Sequence, residues 1–445
     1  MTSFTHAVVI GASIAGLLAA AALSEVCPRV TVFERDTLPG EPGPRRGVPQ
    51  SLQLHALQAR GALALTELLP GFRDEMVAAG AVVADTQGDV HWYLDDYLLK
   101  PARTGLEGIG MSRPALEWLI RSRVTNLPNV TIADATDIVR PVMADGRVTG
   151  VVTREARTQG ADEQTVAADL VIDAAGRASR TPAWLKKLGF TAPEASRVRA
   201  GVTYVSLFYS RDPKQLDGRF GSLVTPYPGK PFGGAVLRQE GMRFVVLIAG
   251  LIGTDPPVDE AGMIAFADTL SCPDIAAVMR ESTPLTEPLK YTYPDSTWYH
   301  YETLGAHLGG LLVIGDAFSS FNPIYGQGIT VAALEALALR GLLSDPAAGD
   351  LERRYFATVG KLVAEAWDTS ATSDLRFPEV QGKRRPGAGL INAYGEKFRA
   401  AASVDPVLGE TFLRVANMID RPAKLLSPGT MLRVFRSAGK AVRAG

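Results

Sequence analysis

Residues 6–34 read HAVVIGASIAGLLAAAALSEVCPRVTVFE. His6–Ile10 is an apolar run with β-branched Val8, Val9 and Ile10 at its centre, the composition of a short buried strand. Gly11-Ala12-Ser13-Ile14-Ala15-Gly16 follows as a tight turn, Leu17–Glu25 have helix-forming composition, and Arg29–Glu34 read as a second strand that ends on an acid. The spacing from Gly11 to Glu34 matches a dinucleotide-binding βαβ unit. Such a turn carries little side chain, because backbone N–H groups and the helix N-terminus must come close to a pyrophosphate. Ser13 stands where the middle glycine of G-x-G-x-x-G is usual; it is small, and its hydroxyl is itself a donor to phosphate. Residues Gly11, Ala12, Ser13, Ile14, Ala15 and Gly16 are therefore expected at the cofactor, with Glu34 on an adenosine ribose.

Residues 7–23 carry no charge and imitate a membrane segment, but no Lys or Arg precedes them and two glycines interrupt them. No transmembrane segment is expected. The chain of 445 residues has 46 Lys and Arg against 47 Asp and Glu, a formal net charge of −1, which argues against a nucleic-acid partner. A hydrophobic share of 46% with 21% charged residues is that of a globular chain, long enough for about three domain-sized units. Cys27 and Cys272 form no CxxC pair and have no His spacing to complete a metal set, so neither a disulfide scaffold nor a metal site is expected. A reducing cytoplasm fits that usage best.

A second constellation lies 300 residues downstream. Gly310–Ile314 read as an apolar strand, followed by Gly315-Asp316 and, after Asn322, by Pro323-Ile324-Tyr325-Gly326-Gln327-Gly328-Ile329; Val331–Leu343 then have helical character. An aspartate just past a strand end is placed to meet a ligand. The helix N-terminus behind the glycine-flanked glutamine favours negative charge in front of it.

These residues carry a family resemblance. GDAFSSFNPIYGQGIT at 315–330 resembles the Gly-Asp segment of the flavin-dependent aromatic-hydroxylase superfamily, and DLVIDAAG at 169–176 resembles its middle strand. The resemblance implies FAD, with Asp173, Gly176, Gly315 and Asp316 at the cofactor and the Pro323, Gly326, Gln327, Gly328, Ile329 loop beside flavin C4a. No catalytic acid–base pair is assigned. Ala175 replaces the aspartate of the family's Asp-Gly pair, so reduction by NAD(P)H directly and reduction through a separate flavin reductase both stay open. RRGVPQSLQLHAL at 45–57, IDAAGRASRTPAWL at 172–185 and the stretch 412–436 are similar to bacterial epoxidases of polyether biosynthesis, which are squalene-epoxidase-like.

That narrower likeness implies a monooxygenase of secondary metabolism, including antibiotic biosynthesis. It would insert one atom of O2 through a flavin C4a-hydroperoxide into the alkenes of a hydrophobic polyketide or polyene. Hydroxylation of an aromatic or polyketide ring, reduction of a prenyl double bond, and a flavin-binding partner protein without turnover are the other readings. Neither the Trp-x-Trp-x-Ile-Pro segment nor a clear catalytic lysine of the related halogenases is present. Arginines suit a pyrophosphate or flavin edge because their forked donors are fixed, which makes Arg35, Arg45, Arg46 and Arg113 candidates, with Gln50 beside them. His55 is expected on a helix, at an interface or a ligand.

The implied fold class is α/β: a Rossmann-like FAD-binding domain (1–80, 110–190 and 300–350) with an inserted, mostly antiparallel substrate domain (81–109 and 191–299) and a C-terminal helical region (351–445). Val202–Tyr209 and Arg243–Ile248 read as strands, with turns at Tyr227–Gly234. Tyr204, Phe208, Phe220, Tyr227 and Phe232 are candidate pocket aromatics. Residues 351–380 and 394–436 read as helical. A basic last helix near Met431–Val442 is a candidate contact for a membrane or a carrier protein.

Overall fold

The computed structural model describes residues 4–158, 160–345, 349–441 and 443. Five parallel strands form the first sheet in the order Leu311–Val313, Leu170–Asp173, His6–Ile10, Arg29–Phe33, Val130–Ala133. The first helix, Ile14–Ser24, starts inside the expected turn. It is buried on nearly every side, against the sheet and against the helices Arg113–Thr125 and Gly328–Leu343. A helix so enclosed has no polar face, which is why its sequence imitates a membrane segment. Among the described residues no helix is long and apolar enough to cross a membrane.

The second sheet has seven strands in the order Leu289–Tyr293, Val202–Ser210, Arg243–Gly250, Phe232–Gln239, Gly221–Thr225, Val90–Leu94, Tyr97–Leu98. It is antiparallel except where Val90–Leu94 runs parallel to Gly221–Thr225, bringing a segment far upstream into this sheet. The expected turn at Tyr227–Gly234 is shorter than its sequence: Tyr227 and Lys230 bridge, and Phe232 already begins a strand despite Gly233 and Gly234. Helices Glu260–Asp268 and Asp274–Glu281 cover one face, around Met263, Ile275 and Met279.

Helix Leu351–Asp374 follows helix Gly328–Leu343 and packs against it and against strand Leu311–Val313. The stretch expected as helical over 394–436 divides into Ala388–Ala402, Pro406–Ala416 and Pro428–Ser437, each of the last two opening on a proline that suits a helix start and cannot continue a preceding helix. The last helix therefore begins earlier than expected and gives way to a 3-10 turn at Ala438–Lys440; the expected end at Val442 lies outside the described residues.

Candidate active site

Gly11 holds a left-handed backbone at φ +100°, and its N–H donates to the Phe33 carbonyl at 2.7 Å. A Cβ there would stand 2.8 Å from the Ala174 carbonyl oxygen, so only glycine passes this close to the neighbouring strand end. Glu34 folds back over the turn. Its Oε2 accepts from the Ala12 N–H at 2.8 Å and its Oε1 from the Asp36 N–H at 2.9 Å, while Arg45 pairs with it at 3.1 Å. Oε2 is filled by the Ala12 N–H and Arg45, whereas Oε1 keeps a lone pair for a ribose hydroxyl.

Ser13 has a role that its replacement of a glycine did not announce. Its hydroxyl accepts from Arg113 Nη2 at 2.7 Å and donates to Glu117 Oε2 at 3.0 Å. Glu117 also takes the Arg45 Nε–H at 2.7 Å. Burial opposes the charge on Glu117, yet Arg113 and Arg45 hold its carboxyl below the usual range. Sequence reasoning missed Glu117; its spacing of four from Arg113 on a helix was the available signal.

The second turn packs on the first. A Cβ on Gly315 would lie 2.7 Å from the Ala15 Cβ, which fixes the Gly315-Asp316 turn against the start of the first helix. The Gly315 N–H donates to Glu335 Oε2 at 2.5 Å, and burial lifts the Glu335 carboxyl to about 8. Glu335 is the lone acid in the apolar run of its helix, a signal the sequence reading passed over. Asp316 lines the cavity and, among the described residues, accepts no hydrogen bond. Burial pushes its carboxyl up, against the pull of Arg113 and Arg177. The Pro323–Tyr325 turn is held from behind by Asp374, which accepts from the Tyr325 hydroxyl at 2.8 Å and from Asn322 Nδ2 at 2.9 Å.

One cavity of about 1890 Å³ joins these parts. It is lined by Gly11, Ser13, Ile14 and Ala15, by Glu34, Arg35, Arg45, Gln50 and Arg113, by Gly176, Gly315 and Asp316, and by Pro323 with Gly326–Ile329. Several expected site residues stand elsewhere. Ala12 is fully buried behind the turn, and Gly16 serves packing, since a Cβ on it would meet the Gly11 carbonyl oxygen at 1.9 Å. Arg46 points outward. Asp173 is fully buried and folds the chain instead, accepting from the Ala175 N–H at 2.9 Å and from the Ser179 and Thr181 hydroxyls, each at 2.5 Å.

Of the pocket aromatics, Tyr204 and Phe220 line the cavity and the other three do not. Phe208 lies further along the same strand, under the Arg243 guanidinium. Tyr227 donates its hydroxyl to Asp96 at 2.7 Å, and Phe232 packs edge-on against Phe266. His55 stands in the loop before helix Ala59–Leu68, not on a helix, and it lines the cavity. Its Nδ1 bonds the Gln53 carbonyl at 2.9 Å, and burial with the nearby Arg113 lowers its pKa to about 4.

The glycine-crowded turn, the Asp316 carboxylate and the buried Gln327 Oε1, neither with a hydrogen-bond partner among the described residues, fit a dinucleotide flavin. A sequence profile described as FAD binding domain matches residues 4–358. The chain belongs to the FAD binding domain family. It is 35% identical over 432 residues to Protein Rv3254 of Mycobacterium tuberculosis, across 93% of this chain and 90% of that one. Among solved structures, this FAD-binding chain resembles the flavin-dependent brominase Bmp2 (14% identity, TM-score 0.65, covering 98% of this chain and 99% of that one). It also resembles p-nitrophenol 4-monooxygenase PnpA from Pseudomonas putida DLL-E4 (16%, TM-score 0.64, covering 94% and 99%). The Diels-Alderase PyrE3 of pyrroindomycin biosynthesis shares the fold as well (16%, TM-score 0.61, covering 93% and 80%).

Proposed function

We propose that the protein is a cytoplasmic FAD-dependent monooxygenase that epoxidises alkenes of a hydrophobic polyketide or polyene. One observation carries the reading. The cavity that begins at the dinucleotide turn continues past the Pro323–Gly328 loop to a wall of C-terminal helices, and its volume of about 1890 Å³ exceeds the ~300–1,000 Å³ of a single-ligand pocket. It has room for a cofactor and a large apolar substrate end to end. The resemblance of RRGVPQSLQLHAL and IDAAGRASRTPAWL to polyether-type epoxidases supports the alkene as target. Neighbours named as a brominase, a monooxygenase and a Diels-Alderase share this fold, so fold alone does not set the chemistry.

Bound and reduced, FAD supplies the electrons that activate O2. The protein's part is positioning and exclusion of water. Asp316 would hold the ribityl hydroxyls, and the N-terminus of helix Gly328–Leu343 would favour negative charge on the ring edge. Aromatic and aliphatic side chains, Phe220, Leu237 and Tyr204 among them, keep the reacting space dry. Epoxidation needs no general base. Electrons would come from NAD(P)H, directly or through a separate flavin reductase, and Ala175 favours the separate reductase.

His55 favours a second reading. Its Nδ1–H is committed to the Gln53 carbonyl and its ring is neutral at ordinary pH, which leaves Nε2 as an acceptor for a phenol proton. Ring hydroxylation would use it; epoxidation would not. Reoxidation of photoreduced protein tests the proposal. With a polyene bound, peroxide released per flavin oxidised should fall well below one and an epoxide should accumulate. An accumulating phenol whose yield collapses in His55→Ala would favour hydroxylation. Peroxide equal to the flavin oxidised, whatever is added, would overturn both.

A further inference from the structure

Arg376 lies just beyond helix Leu351–Asp374, and Arg399 lies in the last turn of helix Ala388–Ala402. Both reach a single buried carboxylate, Asp95. Arg376 grips it with two bonds, Nη1 to Oδ1 at 3.1 Å and Nη2 to Oδ2 at 2.5 Å, and Arg399 adds Nε to Oδ2 at 2.6 Å. Among the described residues, Arg399 Nη2 is buried and has no hydrogen-bond partner. Gly395, one turn earlier, makes room for it: a Cβ there would stand 3.1 Å from Arg399 Nη1. Two cations thus share one anion.

Arg376, Gly395 and Arg399 line the large cavity, whereas Asp95 sits behind them. Around them the wall is apolar, with Tyr394, Phe398, Phe412 and Leu425. The acids that line the cavity are engaged elsewhere: Glu34 by Arg45, Asp137 by Arg180 and Asp368 by Arg385, while Asp316 faces Arg113 and Arg177. Glu396, which also acts on Arg399, is exposed on the outer face. Burial pushes the Arg399 guanidinium down from its ordinary pKa, a cost that a second anion would relieve. Arg376 also acts electrostatically on Tyr325, in the turn beside the Gln327 loop, so the excess charge lies near that loop.

The geometry points to Arg376 and Arg399 as the recognition site for the single carboxylate of an otherwise apolar substrate. The guanidinium fork matches a carboxylate, and a charge-assisted bond formed away from water is strong. The inference rests on the reading of this cavity as the substrate's, and it narrows the substrate to an amphiphilic acid.

Equilibrium dialysis of FAD-loaded protein with parinaric acid, a polyene carboxylic acid, and with its methyl ester tests it without turnover. The acid should bind at least about tenfold tighter than the ester. Arg399→Gln, which leaves Arg376 on Asp95, should bring the ratio near one with ester affinity unchanged. The rim variant Lys383→Gln with Arg385→Gln should keep the ratio. Equal affinities in the wild type would overturn the inference, as would a preference that survives Arg399→Gln or vanishes in the rim variant. The wild-type ratio stands as a test even where Arg399→Gln does not fold. An acid preference in a protein that oxygenates nothing would sink the monooxygenase reading and leave the carboxylate site standing.

Discussion

A single methyl group separates Gly16 from alanine, and the fold has no room for it: the Cβ would stand 1.9 Å from the Gly11 carbonyl oxygen. Gly16→Ala should cost ~3 kcal/mol or more, since neither the helix nor the turn can shift independently, and thermal unfolding would register the loss. Asp316 behaves oppositely. Its half-buried carboxylate, among the described residues, accepts no hydrogen bond and is desolvated, so Asp316→Asn should melt higher without FAD yet bind FAD at least about tenfold more weakly, as calorimetry and flavin titration would show. Asp374 sets a pH dependence, because burial lifts its carboxyl from 3.8 to about 7. Between those values the folded state holds the proton that the unfolded chain has lost. Stability therefore falls as pH rises through that window, and the loss stays in force above it. Glu335, lifted from 4.5 to about 8, adds a slope of the same sign. Unfolding of Asp374→Asn across this range should be flatter than wild type by ~1 kcal/mol or more, and adding Glu335→Gln should flatten it further.

At the scale of elements, the strand, turn and helix at His6–Ser24 were legible because every cue is local: β-branched run, two glycines, apolar helix. The same holds for Leu311–Val313 and the turn after it. Facing and reach were not local. Tyr204 and Phe208 lie on one face of one strand, but four residues separate them by ~13 Å along it, and only Tyr204 meets the cavity. Asp173 looked like a ligand because of its motif, yet its partners Ser179 and Thr181 consume it. The Asp95 cluster was out of reach of any pattern, since its arginines are 281 and 304 residues away in sequence. The polar contacts that tie the C-terminal helices to the rest include Arg399 to Asp95, Ala59 N–H to Asn417 Oδ1 at 2.9 Å and Gln58 Nε2 to the Ala416 carbonyl at 2.9 Å. Asn417→Leu leaves a buried N–H unpaired and should cost about 1–3 kcal/mol, with faster hydrogen exchange across Ala388–Ala416 than in the first sheet.

Across the whole molecule, the parallel sheet supplies the dinucleotide turn, the antiparallel sheet supplies one wall of the cavity, and the C-terminal helices supply the other. That division explains how one volume can hold a polar cofactor end, a dry middle and a charged far wall. On the proposed function, an apolar substrate placed in this volume receives an oxygen atom from O2. Isotopically heavy dioxygen, supplied to the FAD-loaded protein with a reductase, NADPH and a polyene carboxylic acid, tests it most directly by mass spectrometry of the product. One heavy oxygen atom per product molecule is expected, in an epoxide. A product gaining two hydrogens and no oxygen, or an unchanged polyene with all heavy oxygen recovered as peroxide, would contradict it.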